Sequence, residues 1–595
     1  MRRSVIMFAH GVLSFTAITT LGVSAMAFSA ISDEARIYPT RLPFEYRLPG
    51  GVTDYEVLYS LGPLFKPKRP EDEGLRAREY VMREVPLSSE GLVLESLAGR
   101  CGAEYKPWML VRHRRTRRGI GISLAYPGNW RIAVLPDGDN TLLRVGALPE
   151  SLVSFTHLPD GLPVPGALVT EFIGSWDSGA QPLVAYIRKH YLRDLGPDWP
   201  WVDFNTWFDC GERLDMDHLK KVARLAAELG CELFVIDTGW YGSGLNWHEA
   251  LGEWHVNRER FPEGLEPFVK FVRELGMRFG IWFEIENTGK NARVVKEHPD
   301  WLLRDGDRLM TGRGCLDFGK PEVVRWACEQ IERIIEAYNV DYLKMDFNTN
   351  LIEDSLHHAD PTSPLSRHYQ GLGQLWEHLH AKYPHVVIEN CSSGSLRQEL
   401  FTVALTDTNW VSDQVGNAEK LAINYGATYL FPPEINHHWT CYPEASDALD
   451  LEACFTVSML GHMGISGPIL EWTDEAKRQA KKSIALYKRL RPVIRRSVVY
   501  HLTSQVRYGE PNSVEAALYV DGDDGKALLF AFQGGAPELE CTLQLQGLEP
   551  EATYEVVMPE GYGPDRETKG AELMRAFKVR FPHKGASAIV QFIRK

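Results

Sequence analysis

The stretch VDFNTWFDCGERLDMDHLKKVARLAAELGCELFVID, residues 202–237, decides the fold. It runs from a short apolar strand through the helical segment DMDHLKKVARLAAELG to a second apolar strand, CELFVID. The rhythm then repeats. A loop and GLEPFVKFVRELG follow CELFVID, and MRFGIWFEIE comes before PEVVRWACEQIERIIEAYN. VDYLKMDFN precedes SRHYQGLGQLWEHLHAKY, HVVIEN leads to SLRQELFTVAL, and NWVSD to NAEKLAINYG. A seventh strand is expected near TYLFPPEI and an eighth near ISGPIL, each with its helix after it. Eight β/α units between 200 and 497 suit a central (β/α)8 TIM barrel better than an open sheet. No Gly-rich phosphate loop follows the first strand, which counts against a dinucleotide fold.

Working outward, residues 33–195 are short and alternating with Gly and Pro punctuation, as in YEVLYS (55–60), GLVLESLAG (91–99) and WMLVRHRR (108–115). They predict an N-terminal antiparallel β-sandwich, with helical periodicity delayed until 183–195. LGPDWPWVD, 195–203, reads as the junction to the barrel. From 498 to 595 the chain is strand-like again (KALLFAFQG, ECTLQLQGL, ASAIVQFI) and predicts a small C-terminal antiparallel β-sandwich. At 595 residues the chain is too long for one core, in keeping with a multidomain α/β plus all-β protein.

A formal net charge of −14 disfavours nucleic acid and anionic membrane as partners. The nine Cys are scattered, with no CxxC and no zinc-like His/Cys spacing, so neither a metal nor another cofactor is expected. Their odd number leans towards a reducing compartment. The N-terminus leans the other way: Arg2-Arg3, an apolar run to Val23 and Ala25-Met26-Ala27 read as a signal peptide over 1–27. Export to the periplasm or medium is therefore expected, or the cytoplasm if Met26 is the true start. Sixteen Trp serve either large cores or the flat faces of sugar rings.

Chemistry in such barrels sits at the C-terminal strand ends. Read in order, those ends are Asn205-Thr-Trp207, Asp237-Thr-Gly-Trp240, Trp282-Phe-Glu284-Ile-Glu286, Lys344-Met-Asp346-Phe-Asn348, Glu389-Asn-Cys391-Ser392-Ser-Gly394 and Ser412-Asp413-Gln414. Carboxylates and amides interleaved with Trp suit sugar hydroxyls and paired-carboxylate chemistry better than a metal ion. Lys344, Asp346 and Asn348 alternate and so share one strand face. A cation beside Asp346 favours its ionised form, which makes it the nucleophile candidate. Asn348 would orient that carboxylate or a sugar hydroxyl. Asp413 has no basic residue within five positions on either side, which makes it the candidate acid.

Seven segments also carry a resemblance: FVIDTGWYG (234–242), GEWHVNRERFPEGL (252–265), GIWFEIE (280–286), LDFGKPEV (316–323), DYLKMDFN (341–348), ENCSSGSLR (389–397) and WVSDQ (410–414). In this order and spacing they resemble the melibiase-type α-galactosidases, glycoside hydrolase family 36, related to family 27. The resemblance implies a retaining exo-glycosidase acting on terminal α-D-galactosyl residues of an oligosaccharide or glycoside. It implies Asp346 as nucleophile and Asp413 as acid/base. It carries sugar-binding positions to Asp237, Trp282, Lys344, Asn348, Cys391, Ser392 and Gly394, and to Arg313, where the local spacing differs. Trp240 and Glu284 fit as support for the pocket wall. Family members are often dimers or tetramers, so by analogy a homo-oligomer is expected.

Three departures stand out. Many members have two adjacent Asp that read O4 and O6 where this chain has Asp237-Thr238, which weakens galactose against a related sugar. The glycine run after Cys-Ser-Ser is interrupted by Ser395 and Leu396. The acidic residue usual after Ser412-Asp413-Gln414 is replaced in Val415-Gly416-Asn417. NHHW, 436–439, puts two His and a Trp where they either line the pocket or form a solvated loop. Alternatives of the same chemistry are an α-N-acetylgalactosaminidase or another α-glycosidase or transglycosylase. Lys344 as a Schiff-base lysine in an aldolase-like lyase is an alternative of another class, and a non-catalytic sugar-binding protein is a third.

Overall fold

The structure is a computed structural model and describes residues 24–27, 36–66, 79–244, 246–312, 314–353, 363–443, 449–505, 513–534 and 536–595. Its centre is a closed barrel of eight parallel strands in sequential order. These are β1 (Asp203–Asn205), β2 (Leu233–Ile236), β3 (Arg278–Phe283), β4 (Tyr342–Met345), β5 (Val387–Asn390), β6 (Thr408–Trp410), β7 (Asn436–Thr440) and β8 (His462–Ile465), which closes on β1.

The helices between them form because their apolar positions recur on one face. In α1 (Met216–Leu229), Leu219, Val222, Ala223, Ala226 and Leu229 are buried, a 3.6-residue stripe that packs on the barrel wall. The Asp215 carboxylate accepts the His218 N–H at 2.9 Å and opens the helix. Gly230, at φ 108°, closes it by donating to the Ala226 and Ala227 carbonyls, a conformation that strains any residue with a Cβ. The helix Pro321–Tyr338 starts without a side-chain cap, on Pro321 at its first position, and stops at Asn339, which is also left-handed and donates to the Ile335 carbonyl.

Two strands differ from expectation. TYL, expected in strand seven, is the last turn of the helix Asn417–Leu430; Pro432 and Pro433 stop that helix, and the strand is NHHWT instead. A short apolar run does not distinguish a buried helix end from a strand, and an inward polar strand carries no apolar signal. Strand eight likewise lies at His462–Ile465, just ahead of most of ISGPIL.

The N-terminal domain is a sandwich of a five-stranded and a six-stranded sheet, predominantly antiparallel. Its last helix, Trp176–Tyr191, begins earlier than periodicity suggested because Ser175 caps it through the Ser178 N–H. The sandwich is docked on the barrel mouth: Leu351 N–H donates to the Ala98 carbonyl (3.0 Å) and Gly102 N–H to Leu396 (2.8 Å). At the C-terminus a six-stranded antiparallel sheet faces a two-stranded one, with Leu529, Val590 and Phe592 packed against Leu543, Phe577 and Val579. All nine cysteines are unpaired. The expected signal peptide lies outside the described residues apart from Ser24–Ala27, which pairs with the strand Phe44–Pro49.

Candidate active site

The strand ends of the barrel surround a cavity of about 350 Å³. Its charged and amide lining is Asp237, Lys344, Asp346, Asn348 and Asp413. Its walls are largely indole: Trp207, Trp247, Trp282, Trp410 and Trp439. A small concave site with convergent polar groups on an apolar wall is what recognition of one sugar ring requires.

Asp346 stands one residue past β4, its N–H bonded to the Phe283 carbonyl of β3 at 2.7 Å. One carboxylate oxygen accepts the Phe347 N–H (2.7 Å) and the Ser393 N–H (3.4 Å). The other accepts Asn348 Nδ2 (2.8 Å) and the Trp282 indole N–H (3.3 Å). Four donors and no acceptor hold this carboxylate in one orientation, an arrangement suited to an anion. Behind it lies Glu284, buried at the β3 end and bonded by Asn348 N–H (2.5 Å) and Asn348 Nδ2 (3.2 Å). Burial first, then the Asp346 charge, pushes the Glu284 carboxyl up to about 7.

Asp413 follows β6 and is exposed at the cavity. The Trp410 indole N–H donates to one of its oxygens at 2.8 Å. Loss of solvation, then the Asp346 carboxylate, raises its proton affinity above the ordinary aspartate level, with Lys344 and Arg100 pulling the other way. The two carboxyls thus differ in environment, one saturated with donors and one sparsely bonded.

Lys344 is buried on β4, with Nζ 3.8 Å from Glu389 Oε2 and lying over the rings of Trp410 (4.7 Å) and Trp439 (4.2 Å). Burial alone would depress its pKa, but Glu389 first, then Asp237 and Asp346, outweigh it and hold the ammonium charged. A lysine so held is a poor Schiff-base nucleophile. Beneath it, His437 bridges Asp203 (2.7 Å) and Glu389 (2.8 Å); burial opposes its charge, yet the two carboxylates push it up to about 9. His462 joins this group in space, but its two nitrogens already bond Thr408 Oγ1 and the Trp201 carbonyl, so the cluster is a hydrogen-bonded floor.

Asp237 closes the inner end. It accepts Asn205 Nδ2 and the Thr238 N–H, both at 2.9 Å, and burial pushes its carboxyl up to about 6 against the pull of Lys344. Thr238 turns its hydroxyl to Tyr241 (3.0 Å). Cys391 lines the cavity as a neutral thiol, its pKa raised by burial and by Asp346.

Of the positions expected to bind sugar or support the pocket wall, four do not line the cavity, and Trp240 and Glu284 among them stand behind the wall as support. Trp240 is fully buried and braces the wall by donating to the Trp282 carbonyl (2.9 Å). Glu284 stands behind Asn348 as described. Ser392 is turned inward to the Phe347 carbonyl (2.9 Å). Gly394, at φ +81°, lies against Glu79 and the Asp413 backbone. Arg313 lies outside the described residues. Of the NHHW histidines, His437 is in the floor and His438 faces Asn424 (3.2 Å); only Trp439 lines the cavity.

The structure adds lining residues that strand-end reading missed, Phe208, Trp247 and His248, and places Thr238, Trp207 and Trp410, all at recognised strand ends, in the lining as well. Trp247 and His248 open a one-turn helix, Trp247–Ala250, in the connection after β2; it is capped by Asn246 and too short to show a period. Arg100 comes from the N-terminal sandwich. Its guanidinium donates to the Phe347 carbonyl (3.1 Å), Ser393 Oγ (3.2 Å) and Asn350 Oδ1 (2.5 Å), bracing the loop that follows Asp346.

Comparisons with known proteins agree with this geometry. The sequence model of the family described as Melibiase matches residues 183–497. α-Galactosidase AgaA of Geobacillus stearothermophilus is 30% identical over 539 residues, spanning 87% of this chain and 72% of that protein. α-Galactosidase Mel36A of Lactobacillus acidophilus is 27% identical over 502 residues, spanning 81% and 67%. The crystal structure of the family 36 enzyme AgaA superimposes with a TM-score of 0.78 at 23% identity, covering 93% of this chain and 76% of that one. The chain belongs to the melibiase family, the family 36 type, and is a glycoside hydrolase.

Proposed function

We propose that this enzyme is an exo-acting, retaining α-galactosidase that removes terminal non-reducing α-D-galactosyl residues by double displacement. The observation that carries the reading is the contrast between Asp346, held by four donors, and Asp413, raised in proton affinity at the same cavity. Asp346 attacks the anomeric carbon as Asp413 gives its proton to the leaving oxygen, and a glycosyl ester forms on Asp346. Asp413, now a carboxylate, takes a proton from water, which attacks the same carbon and frees the sugar with its configuration retained. Asp237, Lys344 and Asn348 supply hydrogen-bonding partners for the ring hydroxyls, and the indoles pack its apolar face.

Galactose as the sugar is supported by the relatives: those named above are α-galactosidases, and AgaA variants have been crystallised with raffinose and with stachyose. The test is a panel of nitrophenyl glycosides: α-galactoside, α-N-acetylgalactosaminide, α-glucoside, β-L-arabinopyranoside and β-galactoside. The expected result is the highest kcat/KM on α-galactoside, with α-galactose as the first product seen by NMR. Preference for the N-acetylated or gluco sugar would move the specificity elsewhere in the family. First-formed β-galactose would overturn the retaining mechanism.

A further inference from the structure

Ser395, which interrupts the glycine run after Cys-Ser-Ser, and its neighbour Gly394 meet a buried charge pair from the other domain. Glu79, carried by the N-terminal sandwich and 3% exposed, accepts the Ser395 hydroxyl at 2.9 Å. Lys106, also from the sandwich and fully buried, donates to the Ser395 carbonyl at 2.9 Å and to the Ser395 hydroxyl. Ser395 therefore couples a carboxylate to an ammonium. A Cβ on Gly394 would lie 2.6 Å from Glu79 Oε1 and 3.0 Å from the Asp413 backbone nitrogen. The absent side chain is what admits Glu79 to the back of the Asp413 peptide.

We propose that Glu79 is a positioning residue for Asp413: through its charge, balanced by Lys106 across Ser395, the N-terminal sandwich sets how firmly Asp413 holds its proton. Glu79 does not line the cavity. It acts through space and through the Ser412–Asp413 backbone. The charged and titratable groups around it are Lys106 and Tyr80 from the sandwich and Asp413 from the loop after β6, with the Ser412 and Ser395 hydroxyls as hydrogen-bond partners. Those around Asp413 from the other side are Asp346, Lys344, Cys391 and Arg100. Burial first pushes the Glu79 carboxyl up to about 7, with Lys106 lowering it and Asp413 raising it, so the two carboxyls sense each other's protonation. The coupling is mutual: charge on either carboxyl disfavours charge on the other, so a charge at Glu79 strengthens the hold of Asp413 on its proton.

This inference rests on Asp413 being the acid/base, and the two are tested separately. The acid/base reading is tested by Asp413→Ala on acidic and poor leaving groups. The role of Glu79 is read from the pH profile of kcat/KM on nitrophenyl α-galactoside and raffinose. Glu79→Gln should move the basic limb down by about half a pH unit or more, which above the limb is about a threefold loss. The loss should be smaller on a dinitrophenyl galactoside, which needs no proton. Glu79→Asp, which keeps the charge, should recover the limb. Ser395→Ala removes no charge but leaves Glu79 easier to protonate, so it should shift the limb the same way by less. It serves if Glu79→Gln does not fold. An unmoved limb in folded Glu79→Gln, or in Ser395→Ala where Glu79→Gln does not fold, overturns the proposal. So does an equal loss on both leaving groups. If Asp413→Ala behaves as an acid variant while the limb stays put, only the role of Glu79 fails.

Discussion

Lys344 on β4 is paired with Glu389 on β5, 3.8 Å apart, at the floor of the cavity. The ammonium therefore serves two directions: it neutralises Glu389 below and lends its field to Asp237 and Asp346 above. The His437 imidazolium and Lys344 together hold the Glu389 carboxyl, against its burial, below the ordinary glutamate range.

Lys344→Met leaves Glu389 as a buried carboxylate without its ammonium. Breaking one side of a buried pair costs about 3–5 kcal/mol, so the variant should melt well below the parent by calorimetry. Hydrolysis should vanish with it. Borohydride added to the parent enzyme with substrate should trap no adduct on Lys344, and a trapped lysine would restore the lyase alternative.

Asp346→Ala should keep the fold, since the side chain is half-buried at a strand end, and lose activity by roughly 10⁴-fold or more, as expected for removal of a nucleophile. External azide should restore turnover and give the β-galactosyl azide. An azide product of retained configuration would contradict the nucleophile assignment.

Asp413→Ala should lose about 10²–10⁴-fold on raffinose, the usual contribution of a general acid. Dinitrophenyl galactoside, whose leaving group departs unprotonated, should lose far less in the glycosylation step. Pre-steady-state bursts of dinitrophenol should appear, because deglycosylation loses its base.

The floor gives a pH dependence of stability. His437, with its folded value raised to about 9 from about 6.5 unfolded, binds its proton more tightly when folded. Its contribution is complete below about 6.5 and is lost as pH rises through about 9. The melting temperature gap between parent and His437→Asn should thus narrow from pH 6 to pH 10. A gap that widens over that range would show that the imidazole is neutral in the folded protein.

Much of this was legible in the chain. Barrel units such as 202–237 announce themselves because strand and helix periodicities are local, and carboxylates such as Asp346 and Asp413 follow directly on strands whose ends face one mouth. Strand seven was not legible: Asn436–Thr440 looks inward with His437 and Trp439, and a polar strand satisfied by Asp203 and Glu389 lacks the apolar signature used to find strands.

What the sequence by itself determined is the order of elements and the chemical character of their ends, since both arise from neighbours within a few residues. Which of those ends reach the cavity was decided only by the tertiary structure. Ser392 and Gly394 turn away because the loop after β5 is pinned by Arg100, Lys106 and Glu79, residues 289 to 316 positions earlier. Trp247 and His248 arrive on a single helical turn too short to show a period. Domain docking and loop closure depend on contacts between distant parts of the chain, and no local pattern encodes them.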